Sequence, residues 1–467
     1  MPSREVLIRK YHLELKITFD DDSLIDELSK INFLKYDSES KSFRTLPFLY
    51  WKLIKKLEAM RIKYRSLINQ DYKSNNIPDA KIKLRDYQKD IYNKLKYQNY
   101  RGLIVLPTGA GKTILAIKLI SDLKYRTLIV VPTIDLLEQW IEKIANFFNI
   151  EEDLIGKVGA GTFKISDITV ATYVSVSKND FLRRYMDHFG ILVFDEAHHL
   201  AAKTFREIGR RLIAPIRVGL TATPSYETEQ LKILRAVVGD IIHGEEIVKL
   251  VEKGYLAKFE YKKIKVSLDE DERKNYINFM EKYKEYVNET FRGLRGIKAF
   301  KAVLAKASTD PFARDALKAR LKALKIAYTP KKKIELLEKL LSKHKRDKVL
   351  IFCRYRDIVE EISYLFGIPA ITGEKSLRER KETLQMFKNG EVTKIVTAEV
   401  LDEGVDVPDA SVAIIISGRG SSRQFIQRIG RIIRPKKDKI AKIYELITRG
   451  TIEEYLSSKR KLGGKNV

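Results

Sequence analysis

The stretch "GLIVLPTGAGKTILAIKLISDL", Gly102 to Leu123, passes from a short apolar run, through a turn rich in small residues, into an apolar pattern with helical spacing. Strand, glycine turn and helix in that order make a cradle for phosphate. Glycines at 109 and 111 let the backbone of the loop Thr108, Gly109, Ala110, Gly111 wrap closely around phosphate oxygens. Lys112 reaches toward the β and γ phosphates, and Thr113 holds Mg²⁺ at the start of a helix whose positive end faces the anion. The full signature has a glycine at position 106, where this chain has Leu. A plain strand-to-helix turn is the competing reading of an isolated Gly-x-Gly-Lys; the strand before it and the helix after it favour phosphate.

Outward from this loop, short buried-looking runs alternate with helical ones: "GLIVL", "TLIVV", "ITVAT", "ILVFDE" and "RVGLTAT" between residues 81 and 240. That alternation predicts a parallel sheet covered by helices on both faces. It stops after "VVGDIIHG", and residues 268–326 contain almost no strand-like run, which predicts a helical insertion. The alternation resumes with "KVLIFC", "KIVTAEV", "SVAIIIS" and "KIYELIT". The expected architecture is α/β, with one parallel-sheet domain over 76–243 and a second over 244–267 and 327–467, interrupted near its start. Residues 1–75 read as a small α+β unit, from the alternation of "HLELKITF" and the helical spacing in "PFLYWKLIKKLEAMRIKYRSLI"; "NQDYKSNNIPDAK" then reads as a linker.

The 467 residues suit two or three domains, and 44% hydrophobic residues suffice to fill them. No run approaches a membrane span and the first residues lack the apolar core of a signal peptide, so a protein that stays inside the cell, with no membrane partner, is expected. The single cysteine, Cys353, fits a reducing compartment and excludes a cysteine-built zinc site. With 89 Lys and Arg against 62 Asp and Glu, the net charge of +27 attracts polyanions at long range and points to nucleic acid. Lys and Glu richness with little Cys or Met also resembles heat-adapted proteins.

"ILVFDEAHH" places Asp195 and Glu196 at the end of an apolar strand, where parallel sheets carry their catalytic groups. Asp195 is suited to hold the magnesium and Glu196 to orient and activate an attacking water. His198 and His199 have a competing reading as metal ligands, but no third cluster of His or Cys accompanies them. "QFIQRIGRIIRP" offers Gln427, Arg431 and Arg434; arginines reaching across a cleft neutralise transition-state charge, worth on the order of 10³ to 10⁵ in rate. A solvated basic helix is the alternative there. In the insertion, ten basic residues from Arg292 to Lys325, among them Lys318, Arg320 and Lys322, face only Asp310 and Asp315, and fit either a clamp on nucleic acid or a solvated helical pair. The acidic runs "FDDDS" and "LDEDE" precede helical patterns, where carboxylates favour the helix N-terminus.

"LRDYQ", "LPTGAGKT", "VVPT", "ATYVSV", "FDEAHH", "LTATP", "TAEVLDEGVDVPDA" and "QRIGRIIR" follow the order of the superfamily 2 helicase motifs across residues 84–434. Within that superfamily the chain resembles the XPB family of DNA translocases, and its short archaeal members above all. The resemblance implies two RecA-like motor domains, a damage-recognition-like N-terminal domain and a helical "thumb" at the insertion. It implies ATP and Mg²⁺ as cofactors, with Arg85 and Gln88 at the nucleotide and Gln88 reading adenine. Lys112 and Thr113 would bind phosphate and magnesium, Asp195 would be the metal ligand and Glu196 the base, and Thr221 to Thr223 would link ATP state to DNA grip. Gly404 and Asp406 would face the nucleotide from the second domain, with Gln427, Arg431 and Arg434 completing the site. Thr133, Thr172, Arg354, Gly373 and Thr397 fall in motifs that usually touch the nucleic-acid backbone, and a structural hydroxyl, turn or core role is equally open for each.

The activity so implied is ATP-driven translocation or unwinding of single-stranded, forked or duplex DNA in nucleotide excision repair or DNA opening, near the nucleoid. A helicase-associated nuclease is the implied partner, and a monomer is the simplest oligomeric state. Two alternatives stand open: an RNA helicase, and an ATP-switched scaffold that positions a nuclease. In one place the chain departs from the family. Its Arg-Glu-Asp element appears here as Tyr226, Glu227 and Thr228, so an arginine and a carboxylate able to make charge-assisted contacts are missing. Translocation with weak unaided unwinding is therefore expected. Restoring Arg at 226 and Asp at 228 should raise the rate in a strand-displacement assay, and an unchanged rate counts against this reading.

Overall fold

Strands β1 (Glu5–Tyr11) and β2 (Glu14–Phe19) form a hairpin that pairs Tyr11 with Glu14. With β3 (Lys35–Asp37), β4 (Ser42–Thr45) and β5 (Lys63–Ser66) they build a five-stranded sheet in the order β3-β4-β2-β1-β5. The helix Tyr50–Ala59 closes its core with Tyr50, Leu53, Ile54 and Leu57, the i, i+3, i+4, i+7 stripe of an amphipathic helix. In this computed structural model residues 4–222, 228–398, 410–417, 440–458, 461–462 and 465–466 are described. They divide into two units, one ending at Glu246 and one beginning at Ile247.

The N-terminal sheet has its own core, yet that core also contains Met186 and Ile213 of the first motor domain. Buried Asp187 accepts from Lys10 Nζ (2.8 Å) and from Asn69 N (3.0 Å), and Arg211 Nη1 donates to Leu13 O at 2.8 Å. The stretch read as a linker is packed down as well. Tyr72 and Ile77 are buried, Tyr72 OH donates to Ile213 O (3.1 Å), and Ser74 N donates to Lys124 O (2.8 Å). Its polar composition misled because two buried apolar side chains and hydrogen bonds from its backbone and side-chain amides together anchor it.

The first motor sheet has eight strands: β6 (Arg101–Val105), β7 (Thr127–Val131), β8 (Gly156–Gly159), β9 (Thr162–Lys164), β10 (Ile168–Thr172), β11 (Ile191–Asp195), β12 (Ile216–Thr221) and β13 (Ile241–His243). Their order is β13-β6-β12-β11-β7-β10-β8-β9, parallel throughout except for the β8–β9 hairpin. Every residue of β7, β10, β11 and β12 is buried, as strands covered on both faces require. Two of them are charged, Asp195 at the end of β11 and Arg217 in β12. Arg217 of β12 is fully buried, and its guanidinium donates to the carbonyls of Gly209 (2.6 Å), Ala214 (3.1 Å) and Leu212 at the end of the helix Lys203–Arg211. Burial and the nearby Arg101 press its pKa down, and those carbonyls replace the water it has lost.

The second unit has a six-stranded sheet: β14 (Lys258–Val266), β15 (Val349–Phe352), β16 (Ala370–Ile371), β17 (Lys394–Thr397), β18 (Val412–Ile415) and β19 (Ile440–Thr448). Its order is β14-β19-β18-β15-β17-β16, with every neighbour parallel. Between β14 and β15 lie four helices; the first three, Glu270–Thr290, Gly296–Lys306 and Pro311–Tyr328, form the helical insertion, and Lys331–Lys343 leads from it into β15. Asp269 of "LDEDE" caps the first, accepting from Glu272 N at 2.8 Å. Ala313, Ala316, Ala319, Ala323 and Ala327 form the buried stripe of the third, so the helices approach closely. No helix among the described residues is long and apolar enough to cross a membrane.

A polar knot founds the thumb on the sheet. Lys333 is fully buried; its Nζ donates to Glu453 Oε2 (2.7 Å), Ile416 O (2.7 Å) and Tyr328 O (3.3 Å). Glu453 Oε2 also accepts from Thr448 N (2.9 Å), and Thr448 Oγ1 donates to Ala327 O (2.6 Å). Breaking such a pair from one side leaves a buried charge. Lys333→Met is expected to cost about 3–5 kcal/mol in urea denaturation, and a loss below about 1 kcal/mol would show that the pair is dispensable.

Candidate active site

The phosphate loop begins where β6 ends. Leu106, at the position of the missing glycine, is fully buried, and a Cβ at Gly244 would lie 2.2 Å from Leu106 Cδ2. Its side chain therefore fills the core beside Gly244, which is why the loop tolerates it. Gly109 (φ 84°) and Gly111 (φ 80°) adopt the left-handed region, and Gly111 caps the helix Lys112–Leu123. Ala110 O accepts from Tyr87 OH (2.9 Å) and Gln88 Nε2 (3.2 Å), while Gln88 Oε1 accepts from Arg85 N (2.9 Å). Buried Gln88 thus braces the loop from the helix Asp86–Tyr97, with Arg85 at that helix's N-cap.

Lys112 Nζ donates to Leu106 O (3.1 Å) and Pro107 O (3.4 Å), which keeps the ammonium against the loop. Thr108 Oγ1 is buried and has no hydrogen-bond partner among the described residues. An orphaned hydroxyl, a left-handed glycine where a Cβ would strike Gln88 Nε2 at 2.4 Å, and a lysine at the helix start fit a polyphosphate. Thr113, half-buried in the first turn, and the Asp195 carboxylate supply the hard oxygen donors that magnesium prefers.

Asp195 ends β11, which pairs with β12, which pairs in turn with β6. Asp195 lies opposite Leu220 and Thr221 opposite Val105, so carboxylate and loop leave the sheet at one level, about 10 Å apart across two strand spacings. Both carboxylate oxygens are oriented: Oδ2 accepts from Trp140 Nε1 (2.8 Å) and Oδ1 from Glu196 N (3.0 Å), while Asp195 O accepts from Tyr173 OH (3.1 Å). Burial, followed by the charges of Asp195 and Glu196, drives the Tyr173 phenol far above its ordinary pKa, so it remains a donor. Glu196 has a left-handed backbone (φ 45°), a strained conformation of the kind found at working sites. His198 Nδ1 is 3.5 Å from Glu196 Oε2, and no group of three His, Cys, Asp or Glu side chains comes together as metal ligands among the described residues.

Thr133 and Thr172 sit at the carboxyl ends of neighbouring strands, with Val131 paired to Thr172. Each caps a helix: Thr133 Oγ1 accepts from Leu136 N (3.3 Å) and Thr172 Oγ1 from Ser175 N (3.2 Å). In the second unit, Arg354 Nη1 donates to Tyr328 OH (2.5 Å), its guanidinium lies over the rings of Tyr328 and Tyr355, and its backbone N donates to Ser417 Oγ (2.8 Å). Gly373 is exposed in the turn after β16. Other candidate residues also have contacts within the fold. Thr397 is fully buried, with its hydroxyl in hydrogen-bond reach of Ile371 O (3.1 Å) and Ala398 O (2.8 Å), which fits the structural alternative for it. Arg320 lies over Phe300 (4.6 Å) and Tyr283 (5.5 Å), and Lys322, though exposed, lies over Phe279 (5.4 Å), so both join the thumb helices, while exposed Lys318 lies 3.6 Å from Asp315.

Gly404, Asp406, Gln427, Arg431 and Arg434 lie outside the described residues, as do Thr223, Tyr226 and Glu227. Sequence reasoning missed Trp140 and Tyr173. Tyr173 stands within the quoted "ATYVSV", but Trp140 occupies the apolar face of a helix, where nothing separates a hydrogen-bonding indole from a core one.

Sheet order, phosphate loop and paired carboxylates define a motor ATPase of the superfamily 2 class. Residues 81–226 match the family described as type III restriction enzyme, res subunit, and residues 332–436 match the helicase conserved C-terminal domain. A DNA 3'-5' translocase XPB2 of Sulfurisphaera tokodaii is 38% identical over 92% of this chain and 95% of its own length. A putative DNA 3'-5' helicase Rad25 of Haloarcula marismortui is 32% identical over 80% of this chain and 54% of its own. The crystal structure of the Pyrococcus furiosus Hef helicase domain shares the fold, with a TM-score of 0.51, at 23% identity over 79% of this chain and 97% of that one. The chain belongs to the XPB family.

Replacing Gly111 by Ala forces a Cβ into the left-handed region and onto Gln88. ATP affinity should fall about tenfold or more in a fluorescent-nucleotide titration. Gly161→Ala, at a left-handed glycine with open space around it, should leave that affinity unchanged.

Proposed function

We propose that the protein is a DNA translocase that hydrolyses ATP to move along the duplex or a single strand in repair and DNA opening. The observation that carries this is the alignment of the braced phosphate loop with Asp195 and Glu196 across β12, in a chain 38% identical to a DNA 3'-5' translocase. The relatives' names give the 3'-5' direction that we assign here.

The loop amides and Lys112 bind the triphosphate, with Gln88 at the adenine and Thr113 and Asp195 holding Mg²⁺. Bound magnesium neutralises charge that develops on the phosphate oxygens. Glu196, largely buried beside His198 on a left-handed backbone, orients the attacking water and takes its proton. Gly404 and Asp406, with Gln427, Arg431 and Arg434 as the charge-neutralising arginines, complete the site from the second domain by the family resemblance. The helix N-termini at Thr133 and Thr172 present backbone N–H groups to DNA phosphates, and Gly373 with the exposed Lys318 and Lys322 adds contacts from the second unit. Backbone contacts of this kind are sequence-tolerant and weaken steeply with salt. The N-terminal domain serves damage recognition, and a helicase-associated nuclease on nucleoid DNA is the partner; a pull-down from cell extract that never recovers a nuclease in any nucleotide state argues against the last.

Steady-state ATP turnover without nucleic acid and with single-stranded DNA, forked DNA or RNA tests the reading. DNA should stimulate more than RNA, and Glu196→Gln should abolish turnover. Lys318→Gln with Lys322→Gln should raise the DNA concentration needed for half-stimulation without changing ATP affinity. Turnover indifferent to DNA would sink the translocase, and stronger stimulation by RNA would replace it with an RNA helicase.

A further inference from the structure

Three hydrogen bonds converge on Asp195, and two of them start from the elements that carry Thr133 and Thr172. Trp140, 2% exposed, lies two turns along the helix Ile134–Phe148 that Thr133 caps, and its indole N–H meets Asp195 Oδ2 at 2.8 Å. Tyr173, 1% exposed, directly follows Thr172, and its hydroxyl meets Asp195 O at 3.1 Å. Trp140 therefore sets the carboxylate and Tyr173 sets the backbone that carries it. A buried indole has one donor and a buried phenol one proton, so neither group can move without breaking its bond or carrying Asp195 along.

Two features make this more than packing. The two strands are hydrogen-bonded neighbours in register, so half-buried Thr133 and the exposed Val174, two residues beyond the end of a strand in which Thr172 itself is buried, follow the same carboxyl edge of the sheet. Each chain of contacts from that surface to Asp195 is also short and rigid: one helix in the first case, one residue in the second. A shift at either cap has a packed route to the carboxylate, because close-packed interiors transmit strain.

We propose that Trp140 and Tyr173 are positioning residues that couple DNA at the Thr133–Thr172 edge to the metal-holding geometry of Asp195, so that DNA sets the affinity for Mg·ATP. This rests on the translocase reading above, in which that edge faces the DNA backbone. By linkage the coupling is reciprocal: the factor by which DNA tightens Mg·nucleotide binding equals the factor by which Mg·nucleotide tightens DNA binding.

The experiment measures that factor with a non-hydrolysable ATP analogue, Mg²⁺ and a fluorescent DNA duplex, in the wild type, Trp140→Phe and Tyr173→Phe. Tyr173→Phe keeps the ring and removes only the donor, whereas Trp140→Phe removes the donor and exchanges the indole for a smaller aromatic ring. The wild type should show a factor of about five or more, and both variants should fall toward one. A purely structural role would lower the melting temperature and leave the factor intact, which overturns the proposal. A second readout does not depend on the variants folding. The chain has two tryptophans, so Trp51→Phe leaves Trp140 as sole emitter. Its emission should change when DNA is added without nucleotide; a silent Trp140 overturns the proposal. The two readings fail separately. A wild-type ATPase that DNA does not stimulate removes the translocase and the coupling together, whereas normal stimulation with an undiminished factor in both variants removes the coupling alone.

Discussion

Strand β12 fixes the chemistry of the first motor domain because it is hydrogen-bonded along its length to β6 on one side and to β11 on the other. The phosphate loop and the carboxylates come from segments some ninety residues apart in the chain, and neither has any local reason to find the other. Parallel pairing in register supplies one: once Val105 stands opposite Thr221 and Leu220 opposite Asp195, both turns leave the sheet at the same height. A slip of one residue would turn every side chain of β12 to the other face. Arg217 guards that register, since its buried guanidinium is satisfied only where the carbonyls of Gly209, Leu212 and Ala214 converge.

From that constraint the rest of the site follows by bracing. The loop is held from outside its own strand by Tyr87 and Gln88 on Ala110, and Asp195 from outside its own strand by Trp140 and Tyr173. Glu196 is treated differently. Its backbone is left-handed and its carboxylate lies beside His198 (3.5 Å), whereas Asp195 is held by Trp140 and its own neighbour's N–H. Adjacent carboxylates in the sequence thereby acquire different environments, as a metal ligand and a base must.

What was legible in the sequence was whatever local chemistry dictates. The glycines of the loop, the wholly apolar strands, the pause in alternation at the insertion and the acidic cap at Asp269 each depend on a few consecutive residues. What escaped depends on distant partners. "NQDYKSNNIPDAK" has a linker's composition, but Tyr72 binds it to the motor through Ile213, 141 positions away, and Ile77 is buried. Arg320 reads as one cation in a basic run, and only the arrival of Phe300 and Tyr283 from two other helices makes it glue. Thr397 lies in a motif whose hydroxyls usually face nucleic acid, while the pairing of β16 with β17 gives this one Ile371 O instead.

The thumb shows how a large insertion is accommodated without disturbing a parallel sheet. It enters after β14, an edge strand, and returns into β15 in the interior, so no pair of adjacent strands is forced apart. Three helices with an alanine stripe and small separate cores hold together by themselves. Their attachment includes the last turn of Pro311–Tyr328, where Lys333 and Thr448 take the terminal carbonyls and Arg354 takes the Tyr328 hydroxyl, and the first helix, where Tyr276 OH accepts from Ile452 N and Glu272 Oε1 from Lys331 N. Lys333 also bonds Ile416 O, and Arg354 N bonds Ser417 Oγ, both at the carboxyl end of β18. A thumb hung on a flexible pair of linkers would follow its own thermal motion. One whose helix ends share buried hydrogen bonds with the central strand must move with the sheet, and so acts as part of the second motor domain.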